Sequence, residues 1–169
     1  MGMVNRIVSG GQTGADRAAL DFALQVGIEC GGWVPKGRMA EDGVISATYP
    51  NLLETESDDP RARTERNVRD SDCTLLVTRG APCGGSAFTI QVAYRLGKPV
   101  FHIDLRRELL NPASRRLHRW LQNVQPAILN VAGPRSSEDP EIYGLTKALL
   151  EGSFFDRNSR NNFPPGIQL

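Results

Sequence analysis

A chain of 169 residues, 40% hydrophobic and 23% charged, has the length of one domain and a composition that supports a core without disulfide staples. Its net charge of +1 gives no overall field to hold nucleic acid or an anionic membrane, and no apolar run approaches the length of a bilayer span. The N-terminus lacks the apolar segment of a secretory leader, and Arg6 stands where a myristoylation pattern needs Ser or Thr, so a cytoplasmic protein is expected.

Strand-like and helix-like segments alternate along the chain. Arg6 to Ser9 is a short β run that ends in Gly10-Gly11-Gln12-Thr13-Gly14. Ala15 to Val26 then places Ala15, Ala18, Ala19, Phe22, Ala23 and Val26 on one helical face, and Gly27 ends that helix as a left-handed cap. Cys30 to Val34 is a second strand, stopped by Pro35. Residues 36–60 show no strong periodicity and read as a long excursion of the kind that is usually functional. Arg61 to Asp70 is a polar helix in which Glu65 and Arg69 stand at i,i+4 spacing.

Cys73 to Thr78 is a buried strand, followed by a second glycine loop over 79–86 and a helix from Ala87 to Leu96 that Gly97 terminates. Ser86 is placed to cap that helix. Pro99 to Leu105 is another strand. Pro112 to Gln125 is a basic helix with Leu117, Trp120, Leu121 and Val124 facing inward. Ala127 to Val131 is the last strand, and Asp139-Pro140-Glu141 opens the final helix. The expected division is one domain over 1–152 and a polar tail over 153–169. Five short strands separated by helices specify an α/β Rossmann-like three-layer sandwich, its sheet mostly parallel and covered on both faces.

In such sheets ligands bind beyond the carboxyl ends of the strands. Three glycine-bearing loops stand at strand ends and precede helices: Ser9 to Gly14, Gly80 to Ser86 and Gly133 to Ser137. Free N–H groups and a helix dipole suit each to an anion such as phosphate. The first loop is neither GxGxxG nor Walker A, because its glycines fall at 10, 11 and 14 and Ala15-Asp16 stand where Lys and Ser/Thr belong. It is therefore expected to hold an anion by main-chain N–H groups, with Asp16 and Arg17 close by. Lys36 and Arg38 follow a strand end and can reach an anion, and Asn67 lies on a segment too polar for core.

Lys36, Lys98 and Lys147 are the only lysines among twenty basic residues, which leaves seventeen arginines. Five of them, Arg106, Arg107, Arg115, Arg116 and Arg119, gather around one helix, where they could serve nucleic acid or self-association. The near-neutral net charge argues against nucleic acid. Cys30, Cys73 and Cys83 form no CxxC pair, so neither zinc nor a disulfide framework is expected. Cys73 reads as core, while Cys83 lies in a glycine loop. His102 and His118 are isolated and read as structural.

The long phrases Ser9 to Asp21, Gly31 to Gly43, Thr64 to Asp72 and Asn130 to Arg135 resemble the "putative molybdenum carrier" family, a circularly permuted, YpsA-related branch of the SLOG superfamily. The resemblance runs from about residue 5 to residue 150. It implies a Rossmann-like fold akin to lysine-decarboxylase-like proteins and the Lonely Guy phosphoribohydrolases, homo-oligomeric assembly, and a ligand that is either molybdenum cofactor or nucleotide-derived. Lonely Guy enzymes carry Pro-Gly-Gly-x-Gly-Thr-x-x-Glu with a catalytic Glu. The corresponding stretch here, Cys83-Gly84-Gly85-Ser86-Ala87-Phe88-Thr89-Ile90, keeps Gly84-Gly85 and has no Glu in the following turn, which argues against a phosphoribohydrolase using that acid.

Together these readings predict a binding or carrier protein for a phosphate-bearing small molecule, with no nucleic acid, membrane or metal-ligand set of its own. The predicted site comprises Gly10, Gly11, Gln12, Thr13, Gly14, Asp16, Arg17, Lys36, Arg38, Asn67, Gly84, Gly85, Ser86, Gly133 and Arg135. No catalytic residue is assigned. The alternative is a nucleotide hydrolase using a different carboxylate, for which Asp16, Glu41, Asp42 and Glu65 are the candidates.

Overall fold

The computed structural model describes residues 4–155. Helix α1 (Ala15–Val26) follows strand β1 (Arg6–Val8) and buries the alanine-rich face that its spacing dictates. Gly27 closes it at φ 73°, in the left-handed region that glycine reaches without a Cβ penalty. The remaining strands of the main sheet are β2 (Glu29–Val34), β5 (Leu52–Glu54), β6 (Cys73–Thr78), β7 (Val100–Asp104) and β8 (Ile128–Ala132). They lie in the order β5-β2-β1-β8-β6-β7, and every neighbouring pair is parallel. The four strands expected to share one parallel sheet, β1, β6, β7 and β8, do so.

The other helices are α2 (Pro60–Arg69), α3 (Gly84–Arg95), α4 (Leu110–Val124) and α5 (Ile142–Phe154). Helices α1, α4 and α5 pack with one another on one face of the sheet, and α2 with α3 on the other. The first face holds the main core, with Phe22, Leu117, Leu149 and Leu150 against Ile7, Leu75 and Leu129. The second holds a smaller cluster of Val68, Val92 and Ala93. The result is the three-layer α/β fold that the strand and helix alternation requires.

Four boundaries depart from expectation. The excursion over 36–60 is not structureless. It contains the edge strand β5 and a two-stranded hairpin of β3 (Met39–Ala40) and β4 (Gly43–Val44), elements too short to leave a periodic signal. Helix α3 starts at Gly84, so Ser86 sits inside its first turn and is not its cap. Helix α5 starts at Ile142, while Asp139 accepts the Glu141 N–H at 3.1 Å as expected of a cap and also holds Arg79 by two 2.9 Å bonds. It also runs on to Phe154 and buries Ser153, where the polar tail was expected to begin. The rest of that tail, 156–169, lies outside the described residues.

Candidate functional site

Gln12 and Asp16 from the first glycine loop and α1, Gly84, Gly85 and Ser86 from the second, and Gly133 and Arg135 from the third line one cleft of about 380 Å³. It opens at the carboxyl ends of β1, β6 and β8, three adjacent strands of the sheet. The three loops therefore converge as their strand ends require. Asp59, which caps α2, and Pro60, Arg61, Arg63 and Thr64 of α2, together with Phe88, Thr89 and Glu138, complete the walls.

The first loop is partly covered: the N–H groups of Gly10, Gly11, Gly14 and Asp16 have no acceptor among the described residues, but an arginine lies across it. A Cβ on Gly10 would stand 1.5 Å from Arg63 Nη1, so Gly10 is the floor on which the Arg63 guanidinium lies. That guanidinium reaches across the loop to donate to Asp16 Oδ2 at 2.9 Å. Asp16 is 3% exposed. Burial pushes its carboxyl above the ordinary carboxylate value, against the opposing pull of Arg63 and of the Gln12 N–H. The N–H groups of Gln12, Thr13, Ala15 and Arg17 all donate within the protein, to Asp16, the Gln12 side chain, Pro134 O and Gln12 O.

Further open donors lie at the start of α3. No atom lies within 4 Å of where a Cβ would stand on Gly84 or Gly85. Beside them, Ser86 is 7% exposed, and its hydroxyl makes no hydrogen bond among the described residues while it lines the cleft. Across the cleft, Arg63 Nε is buried without a partner among the described residues. An unsatisfied buried donor is costly, and an anion here would satisfy it. Arg61 lies over the Phe88 ring, 5.6 Å from its centroid. The lining side chains balance three guanidinium groups (Arg61, Arg63, Arg135) against three carboxylates (Asp16, Asp59, Glu138). With side chains balanced, the helix N-terminus supplies the net positive potential.

Several expected site residues serve other ends. Gly11 has φ 71°, and a Cβ there would meet Ile45 Cδ1 at 2.8 Å, so it faces core. A Cβ on Gly14 would stand 2.4 Å from Pro134 O, so its bareness lets the first and third loops touch. Thr13 is bonded to Glu41 and takes the Ser136 N–H. Arg17 donates to Gly11 O and pairs with Asp42, away from the cleft. Arg38 spends its guanidinium on the carbonyls of Ile45 and Ser46. Lys36 is exposed outside the cleft lining. Asn67 grips the Trp33 backbone in both directions, at 2.7 and 2.9 Å, and so fastens α2 to β2.

Of the four candidate carboxylates only Asp16 lines the cleft. Glu41 is bonded to Thr13 and Ser137, Asp42 pairs with Arg17, and Glu65 pairs with Arg95 on α3. The Glu65–Arg69 pair does not form, because Arg69 turns to Asp70 at 2.7 Å. His102 bonds Thr78 Oγ1 and His118 bonds Ser153 O. Cys30 and Cys73 are buried and Cys83 is exposed.

The α2 residues that wall the cleft, Arg63 above all, and Phe88 and Glu138 were absent from the expected site. The available signal was the spacing 60, 63, 64, 67 in α2, which puts Pro60, Arg63, Thr64 and Asn67 on one helical face. Polar residues on the face of a helix that must pack on a sheet have partners to find.

The family model for the circularly permutated YpsA SLOG family matches residues 7–154. The chain belongs to this family. Its fold is also that of a crystal structure named "Putative molybdenum carrier protein" from Syntrophus aciditrophicus SB. The two are 49% identical and superpose with a TM-score of 0.87, over 89% of this chain and 94% of that one. No curated protein matches. Among the described residues no helix of this SLOG protein is long and apolar enough to cross a membrane.

Proposed function

We propose that this SLOG protein is a binding or carrier protein for a small molecule bearing one phosphate, and that the molecule is molybdenum cofactor. The observation that carries the reading is the convergence of all three glycine loops on one cleft whose free donors include Gly84, Gly85, the Ser86 hydroxyl and the buried Arg63 Nε. Main-chain donors at a helix start suit a phosphate. The ring of Phe88 beside Arg61 offers a flat apolar surface for a heterocycle such as a pterin. The name given to the 49% identical structure agrees with a carrier. When bound, the cofactor brings its own dithiolene-held metal, and the residues of this chain are asked only to hold the phosphate and the ring.

The test is calorimetric titration of the purified protein with molybdenum cofactor and, separately, with a nucleoside monophosphate. Tight binding of the first and weak binding of the second is expected. Ser86→Ala should weaken binding by about 1–2 kcal/mol, the loss of one hydrogen bond to a charged group. Arg119→Ala, on the exposed face of α4, should leave affinity unchanged. Preference for the nucleoside monophosphate would reassign the ligand, and equal loss in both variants would move the site out of the cleft.

A second reading rests on Asp16, the one candidate carboxylate in the cleft. A hydrolase would use it as acid or base near a nucleotide. Release of base or phosphate from a nucleoside monophosphate, abolished by Asp16→Asn, would establish that reading in place of the carrier.

A further inference from the structure

Asp16 occupies an unexpected place for a group at an anion site. It is a carboxylate, 3% exposed, on the floor of a cleft whose free donors all favour negative charge. Its partner Arg63 serves both sides. One donor, Nη1, holds Asp16 Oδ2 at 2.9 Å, while Nε of the same guanidinium is buried without a partner among the described residues. An anion that takes Nε shares the Arg63 guanidinium with Asp16, although Arg61, which makes no ion pair among the described residues, lines the same cleft.

The charge count sharpens the conflict. With three guanidinium groups against three carboxylates in the lining, the side chains of the cleft sum to zero while Asp16 is ionised. A bound anion makes the sum negative, in surroundings where water screens little. One proton on Asp16 restores the balance. The other groups that face Asp16 are the Ser9 hydroxyl and the Gln12 N–H from the first loop, and neither titrates in the ordinary range. Arg135 and Glu138 from the third loop and Asp59 ahead of α2 line the same cleft, which contains no histidine.

We propose that Asp16 and the bound anion compete for Arg63, so that filling the cleft is coupled to uptake of one proton at Asp16. The coupling makes the site a proton-sensitive one, tighter toward acid and looser toward alkali. It rests on the anion-binding reading given above, and Asp16 acts through Arg63 as a positioning residue. Burial already raises the Asp16 carboxyl, the direction that favours its proton.

Sulfate separates this effect from titration of the ligand, because it keeps its charge between pH 5 and pH 8 as a phosphate monoester does not. The experiment is calorimetric titration of the whole protein with sulfate across that range. It is repeated at one pH in buffers of different ionisation heat, which counts the protons taken up. The expected result is affinity that rises by up to tenfold per pH unit toward acid, and a count that approaches one proton per sulfate. Asp16→Asn keeps an acceptor for Arg63 and should bind sulfate with a flat profile. Should that variant fail to fold, the proton count in the unaltered protein still decides. Sulfate binding with no proton uptake would overturn the coupling and leave the anion site standing. Absence of sulfate binding at every pH would overturn the anion site itself.

Discussion

Gly11 and Gly10 show two different reasons for a bare backbone in adjacent positions. Gly11 takes a left-handed φ of 71° with Ile45 and Val34 within 3.1 Å of where a Cβ would stand. Gly11→Val should therefore destabilise the fold by about 3 kcal/mol, from backbone strain and overpacking together. Thermal unfolding without any ligand would show it, and an unchanged midpoint would refute the packing account. Gly10 is bare because Arg63 lies on it. The glycine run was legible in the sequence, but its purpose was not. A positive φ and an arginine arriving from 53 positions away along the chain leave the same letter. Arg17 illustrates the opposite error. Its position in the first turn of α1 put it near the loop, yet its guanidinium was captured by Gly11 O and Asp42, a long-range partner that local reasoning cannot see.

Helices α1 and α5 and the excursion over 36–60 are joined at Asp21. Its two carboxylate oxygens accept from Tyr49 at 2.6 Å and from Tyr143 at 2.7 Å. Burial and this carboxylate push the Tyr143 phenol up to about 12, so both groups remain donors at any working pH. Tyr143→Phe should cost about 1 kcal/mol, and Asp21→Ala about 2–3 kcal/mol because two phenols lose one acceptor. Urea unfolding of the two single variants and the double should give less than additive losses. Additive losses would mean that the tyrosines do not share Asp21. Elements long enough to show a period, such as α1 and β6, were legible to the residue. The hairpin of β3 and β4 and the strand β5 were not, since two or three residues carry no period and owe their form to pairing with β2 and with each other.

Across the whole molecule, the carboxyls of Glu41, Asp70, Asp104 and Asp139 lie below their ordinary values. For Asp139 and Asp70 the chief cause is a bonded arginine, Arg79 and Arg69 respectively. For Glu41 and Asp104 burial pushes upward and is outweighed by bonds from Ser137 and Thr13 and by the Arg106 and Gly80 N–H groups. A carboxyl depressed in the fold contributes stability above its unfolded value of about 4, and that contribution is lost as pH falls through the folded value. The urea midpoint should accordingly hold from neutrality to about pH 5 and fall steadily below it. Asp139→Asn should make the fall shallower. Asp16, raised in the fold, works in the opposite direction and favours the folded state on the acid side. The three-layer fold was legible from the alternation of strands and helices, and the convergence of the glycine loops from their place at strand ends, because parallel sheets leave few other arrangements. The balance of charge inside the cleft was not, since it is set by α2, whose approach depends on Asn67 gripping Trp33.

The last strand of the described chain, β8, lies between β1 and β6 in the sheet. Two half-sheets, β5-β2-β1 and β6-β7, thus precede it in the chain and have no strand pairing with each other except through residues 128–132, Ile128 opposite Arg6 and Leu129 opposite Cys73. The three loops that line the cleft come one from each half and one from the closing strand. The cleft therefore gains its third wall from the end of the closing strand, since Gly133 and Arg135 follow β8 directly, and the lining is complete only in a chain whose two half-sheets have been joined.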